Sequence, residues 1–130
     1  MAIDADATPE ARFTAFLTVL PEELAFGDEE PGTILDCYYT PDFEYHNDGL
    51  LLDRDRLIAH VGPTRKNVRS VRVDVHETLM SGDRVAARYT LTSVMRKGKV
   101  LVTEVYMFGR LAPDGRMRRI DSITRMVREG

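Results

Sequence analysis

The sequence predicts an α+β fold: three helices early in the chain, then a long, curved antiparallel sheet whose concave face they cover. Two observations carry this expectation. Residues 68–127 read as strands rich in Val, Thr, Tyr and Met, cut by the turn signals Ser81-Gly82-Asp83, Lys97-Gly98 and Pro113-Asp114-Gly115. Before residue 68, apolar residues recur at helical spacing in stretches opened by capping residues. A long twisted sheet covered on one face curls into a cone, and the hollow of a cone is a natural ligand pocket.

Thr8 can cap the first helix, with Pro9 at its first position and Glu10 in its first turn. Phe13, Phe16, Leu17 and Leu20 form its apolar stripe, and Pro21 is expected to interrupt it. A polar loop over residues 27–32 leads to a short helix over 33–39, with Ile34, Leu35 and Tyr38 facing inward. Residues 43–46 and 50–52 read as short strands around the turn Asn47-Asp48-Gly49. Asp53 can cap a third helix through Val61, stopped by Gly62-Pro63.

Turn lengths decide which side chains share a sheet face. A three-residue loop Pro113-Asp114-Gly115 pairs Phe108 with Ile120, Tyr106 with Ser122 and Glu104 with Thr124. A two-residue loop Lys97-Gly98 sets Leu91 against Glu104 and Tyr89 against Tyr106. A three-residue loop Ser81-Gly82-Asp83 sets Val75 against Tyr89 and Val73 against Leu91. One face then collects Val71, Val73, Val75, Val85, Ala87, Tyr89, Leu91, Val102, Glu104, Tyr106, Phe108, Ile120, Ser122, Thr124 and Met126. The other collects Arg72, Asp74, His76, Arg88, Thr90, Thr92, Arg119, Asp121 and Arg125, with Val105 and Met107 among them. Shifting the last turn by one residue would bury Arg119, Asp121 and Arg125, at roughly several kcal/mol each unless they are paired. The chosen register makes Glu104 the one carboxyl group near the middle of the apolar face.

At 130 residues and 43% hydrophobic content the chain reads as one domain, 1–130. A net charge of −3 argues against a nucleic-acid partner. The single cysteine, Cys37, excludes an internal disulfide and sets a reducing, cytoplasmic location as the expectation. Residues 1–7 are acidic without an apolar run, so neither a signal peptide nor a membrane span is expected. Three scattered histidines and one cysteine give no metal-ligand spacing. A Gly-rich phosphate loop and a nucleophile elbow are likewise missing from the sequence.

Four stretches together carry a resemblance. They are Tyr38-Tyr39-Thr40-Pro41-Asp42-Phe43-Glu44-Tyr45-His46-Asn47-Asp48-Gly49, then Leu52-Asp53-Arg54, then Gly82-Asp83-Arg84-Val85-Ala86-Ala87-Arg88-Tyr89, and last Phe108 through Asp114-Gly115-Arg116-Met117. In order and spacing the chain resembles the nuclear transport factor 2-like superfamily of cone-shaped α+β folds and, within it, the SnoaL-like group. That superfamily contains polyketide cyclases, ketosteroid isomerase, dehydratases and epoxide hydrolases, so the resemblance implies a fold more narrowly than a reaction. Against ketosteroid isomerase, Glu104 is similar in position to the protonated acid of the oxyanion site. The base position falls near Asn47, with Asp48 beside it. The first helix offers Phe13 and Phe16 where a second oxyanion donor would be a Tyr, a departure from a steroid isomerase. Sheet-to-sheet dimers are common in this fold, so the resemblance also implies a homodimer through the outer sheet face.

Glu104 is the candidate catalytic acid–base group, because a carboxyl on an apolar face is desolvated and its pKa rises. The alternative is that it simply bonds a Tyr hydroxyl or a water at the cone mouth. His46 is the second catalytic candidate; alternation lets only one of Tyr45 and His46 point inward, and the pattern leaves open which. Tyr89, Tyr106, Phe108, Asn47, Ser122, Thr124 and Tyr45 are the candidate substrate-binding residues. Two functions fit. One is an isomerase, cyclase or hydratase acting on a small hydrophobic, ringed molecule without a cofactor. The other is a non-catalytic ligand-binding or dimeric assembly module.

Overall fold

The structure, a computed structural model, describes residues 7–129, with side chains through Val127. The expectation for residues 1–7 lies almost wholly outside the described residues. Helix α1 spans Pro9–Phe26, capped by Thr8, whose hydroxyl accepts from the Ala11 N–H at 3.1 Å. Pro21 does not end it. A proline inside a helix costs about 3 kcal/mol, but the apolar stripe continues past it to the buried Ala25, and that burial offsets the loss. Helix α2 spans Pro31–Tyr38, and opens on a proline already set for a first helical turn.

Helix α3 spans Arg54–Asn67, capped by Asp53, and runs on through Gly62-Pro63 to close where the Val68 N–H reaches the Thr64 carbonyl. Its last turn is anchored from outside: Arg65 Nε donates to the Leu24 carbonyl of α1 at 3.1 Å. That tertiary bond, with buried Val61, holds the segment helical where the local signal favoured a stop.

Six strands follow or interleave: β1 Tyr39–Asn47, β2 Leu50–Leu51, β3 Val68–Ser81, β4 Arg84–Met95, β5 Val100–Leu111 and β6 Met117–Glu129. They form one curved, unclosed sheet in the order β2-β1-β6-β5-β4-β3. β1 runs parallel to β6, and the other neighbouring pairs are antiparallel. The helices lie on one face, giving the α+β architecture expected.

The expected register fails at β5, and two local features explain it. The β4–β5 loop is one residue longer than the two-residue reading: Met95 N–H bonds the Lys99 carbonyl at 2.8 Å, enclosing Arg96-Lys97-Gly98. Gly98 takes the left-handed conformation, φ +94°, that such a loop requires. The Pro113-Asp114-Gly115 loop is as expected, with Ala112 N–H to Arg116 carbonyl at 2.8 Å. A β-bulge then follows: Leu111 pairs with Met117 but Arg110 with Arg119, leaving Arg118 extra. Both shifts turn β5 over. Leu91 now faces Thr103, and Ile120 faces Gly109. Val105 and Met107 are buried, whereas Tyr106 and Phe108 stand outside, Phe108 being 72% exposed.

At the β3–β4 turn two departures cancel. The loop is Gly82-Asp83 alone, with Ser81 paired to Arg84, and a bulge at His76 restores Val75 against Tyr89 and Val73 against Leu91 as expected.

The core lies between α1, α2 and the inner sheet face, with Leu17, Ile34, Leu35, Met117 and Ile120 as its most enclosed large side chains. Gly109 is part of it. A Cβ there would come within 2.9 Å of Met117 Sδ and 3.0 Å of Val85 Cγ2, so the inner row of β5 closes tightly on its neighbours. Arg116 ties the β5–β6 loop to the α2–β1 junction through the carbonyls of Asp36 at 3.2 Å and Tyr39 at 3.4 Å.

Candidate functional site

Parallel pairing of β1 with β6 settles which way its side chains point. Tyr45 pairs with Ile120 and Asn47 with Ser122, both buried partners, so Tyr45 and Asn47 face inward. His46 pairs with exposed Asp121, next to Glu44 opposite Arg119, so His46 faces outward. Its Nε2 lies 3.3 Å from the Glu44 carboxylate, and Glu44 also accepts from Arg119 at 3.0 Å.

On the inner face, five of the expected site residues come together: Tyr45, Tyr89, Asn47, Ser122 and Thr124. Ser122 Oγ donates to Asn47 Oδ1 at 2.7 Å. The turn residue Asp48 takes φ +53°, a conformation its short polar side chain tolerates. Its N–H donates to the Ser122 carbonyl at 2.9 Å, and its Oδ1 accepts from the Thr124 N–H at 2.9 Å. Thr124 Oγ1 completes the clamp on Oδ2. These two bonds from Thr124 hold the Asp48 carboxyl below its ordinary range, so it is a fixed anion near neutral pH.

The two tyrosines are partly accessible yet desolvated. Burial raises the Tyr45 hydroxyl above the usual phenol range; the Ser122 hydroxyl beside it works the other way, and the Asp48 charge adds to the rise. Burial also raises Tyr89, with Tyr45 as the second cause. Both phenols therefore stay neutral and keep a proton to donate. No hydrogen bond from the Tyr89 hydroxyl to protein is found among the described residues. Deeper in, Tyr39 is enclosed by Phe43, ring centroids 4.6 Å apart, and by the edge of Phe16 at 5.5 Å.

Glu104 does not sit on the apolar face. It opposes Thr90 and Arg125 on the outer face, where Arg125 Nη2 donates to Oε1 and the Tyr106 hydroxyl donates to Oε2 at 3.1 Å. The bond from Arg125, then that from Tyr106, lower its pKa, the reverse of the expected rise. Desolvation, the ground for expecting acid–base work there, is outweighed by these two bonds. Tyr106 and Phe108 share this outer face and do not meet Tyr89. The sequence reading left out Asp48 as a site member; the Asn47-Asp48-Gly49 turn signal, with a carboxylate placed to reach β6, was the available clue.

Among the described residues, no group of three or more His, Cys, Asp and Glu gathers as a metal site, and no helix is long and apolar enough to cross a membrane. Open recesses of about 620 and 810 Å³ lie away from the tyrosines. One is at the start of α1, and the other is lined by Arg72, His76 and Thr92.

Residues 23–120 match the SnoaL-like domain family. Solved structures share the fold at low identity. AclR of Streptomyces galilaeus, a proposed hydroxylase, is 15% identical over 92% of this chain and 82% of its own, with a TM-score of 0.69. IdmH of Streptomyces antibioticus, a proposed polyketide cyclase, is 17% identical over 93% of both chains, with a TM-score of 0.65. A protein of ketosteroid isomerase-like fold from Catenulispora acidiphila, solved with trimethylamine, is 15% identical over 89% of this chain and 85% of its own, with a TM-score of 0.62. At these identities the likeness is one of fold. No curated protein matches the chain.

Proposed function

The chain belongs to the SnoaL-like family, and we propose that it is a small-molecule pocket protein whose ligand lies on the concave sheet face between Tyr45 and Tyr89. The observation that carries this reading is the pair of desolvated, neutral phenols facing the same interior beside Ser122 and Asn47. Two phenol donors suit a largely apolar, ringed molecule bearing a carbonyl or phenolic oxygen. On such a substrate the chemistry is of the isomerase, cyclase or hydratase type. The phenols donate to an oxygen as it gains negative charge, and Asp48, held ionised by Thr124, fixes the turn that positions Asn47 beside them. Glu104 and His46 take no part, because both face the opposite side of the sheet.

The test is fluorescence titration with 2-naphthol, an apolar two-ring phenol. Losing both donor groups removes about 1 kcal/mol each, so the Tyr45→Phe/Tyr89→Phe double variant should bind roughly tenfold or more weakly. Glu104→Gln should bind as the parent does. Failure of the parent to saturate, or equal weakening by Glu104→Gln, would contradict the proposal.

A second reading concerns assembly. The outer face exposes Tyr106, Ile123 and Val127 around paired charges such as Glu104–Arg125, a mixture suited to a self-complementary homodimer contact.

A further inference from the structure

The two register shifts that turn β5 over also create a row that the expected pairing does not contain. Arg84 of β4 lies directly opposite Arg110 of β5, which lies directly opposite Arg119 of β6. Like charges set directly across strands destabilise a sheet, so three guanidinium groups in one row call for compensation. That compensation is uneven. Arg119 is fully engaged, with Nε and Nη2 on Asp121 at 2.9 and 3.0 Å and Nη1 on Glu44 at 3.0 Å. Among the described residues, Arg110 is paired with Asp83 alone, at 3.9 Å. The Arg84 side chain makes no hydrogen bond or ion pair among the described residues.

Elsewhere on this face, among the described residues, Asp74 is paired with Arg72, Glu77 with Arg88 at 4.0 Å, and Glu104 with Arg125. Within this row the surplus of positive charge therefore lies at Arg84 and Arg110. It borders a recess of about 250 Å³ lined by Arg84, Val85, Phe108, Gly109, Arg110, Arg119 and Asp121. Phe108, 72% exposed, forms its apolar wall. The Asp121 carboxylate on the far side has both oxygens on Arg119, which leaves the Arg84 side as the electropositive one.

The geometry points to an oxyanion-binding site here, for a phosphate monoester whose ester group is aromatic or apolar. Two guanidinium groups short of partners match a dianion, and their planar N–H forks suit its tetrahedral oxygens. The ring of the ester lies against Phe108, so recognition needs both halves of the ligand. This site is on the opposite sheet face from Tyr45 and Tyr89 and is independent of what binds there.

The experiment uses the full chain and phenyl phosphate, followed by NMR of the arginine Nε–H signals at fixed ionic strength, with inorganic phosphate and benzoate as comparison ligands. Phenyl phosphate should saturate, shifting Arg84 and Arg110 together. Its affinity should exceed that of inorganic phosphate and of benzoate by at least fivefold. Arg84→Gln, which breaks no contact in the fold, should weaken it about tenfold, and Phe108→Ser should bring it down to the inorganic phosphate value. Arg72→Gln, on the same face but away from the recess, should change nothing. Non-saturating shifts spread over all surface arginines, or an unchanged affinity in Arg84→Gln, would overturn the assignment. So would a second copy covering Arg84 and Phe108 in solution, seen as binding that vanishes when the protein dimerises.

Discussion

Tyr45 and Asp48 respond to opposite ends of the pH range. The phenols of Tyr45 and Tyr89 are held above the ordinary value of about 10, while the unfolded chain ionises near it. Their contribution to stability is complete below about pH 10 and is lost as pH rises through the folded values. Urea melts should therefore show that Tyr45→Phe with Tyr89→Phe flattens the alkaline loss of stability; an unchanged slope would mean the phenols are solvated. Asp48 is held below its unfolded value of about 3.9, so its contribution is complete above about pH 4 and fades as pH falls through the lower folded value. Asp48→Asn should flatten the acid side between pH 5 and 2, and Thr124→Val should do the same by removing the hydroxyl from the clamp. Neither orientation was legible from β1 alone, because Tyr45 and His46 both suit a strand. Only the parallel pairing with β6, between segments some seventy-five positions apart, decides between them.

For β5, the sequence is ambiguous on both faces. Val105 and Met107 alternate with Tyr106 and Phe108, so either row could serve as the core row, and the turns have to decide. The Lys97-Gly98 signal marks a turn without giving its length, and the bulge at Arg118 has no residue signature in Met117-Arg118-Arg119. What physical chemistry does say is that burying Glu104 is costly, and the observed register avoids that cost by placing it against Arg125. By contrast, the helix caps Thr8 and Asp53, the three-residue loop at Pro113 and the inward placing of Ile120, Ser122 and Thr124 were all readable. Pro21 and Pro63 misled because tertiary burial outweighs a local breaker. One substitution and one deletion probe the assigned register. Gly109→Ala should cost about 1–3 kcal/mol by overpacking against Val85 and Met117, measured by chemical denaturation. Deleting Arg118 removes the bulge but leaves Leu111 opposite Met117 and Arg110 opposite Arg119, so Arg119, Asp121 and Arg125 stay outward and the variant should still fold. A near-normal melt from Gly109→Ala, or a deletion of Arg118 that abolishes folding, would mean the register of β5 and β6 is misassigned.

Across the molecule, the curved sheet separates two chemistries: neutral hydrogen-bonding groups under the helices, and arginine–carboxylate pairs with scattered aromatics outside. If copies of the chain pair through the outside, Ile123→Asp should convert the dimer to a monomer in sedimentation velocity without loss of fold, since Ile123 is 66% exposed. A monomeric parent at high micromolar concentration would remove that assembly. The concave-face site itself is tested most directly by NMR of tyrosine Cζ carbons during titration with 2-naphthol. The Tyr45 and Tyr89 signals should move together and saturate at one affinity, while that of Tyr106 stays still. Movement of Tyr106 with Tyr45 and Tyr89 unmoved would place the ligand on the outer face and contradict the account.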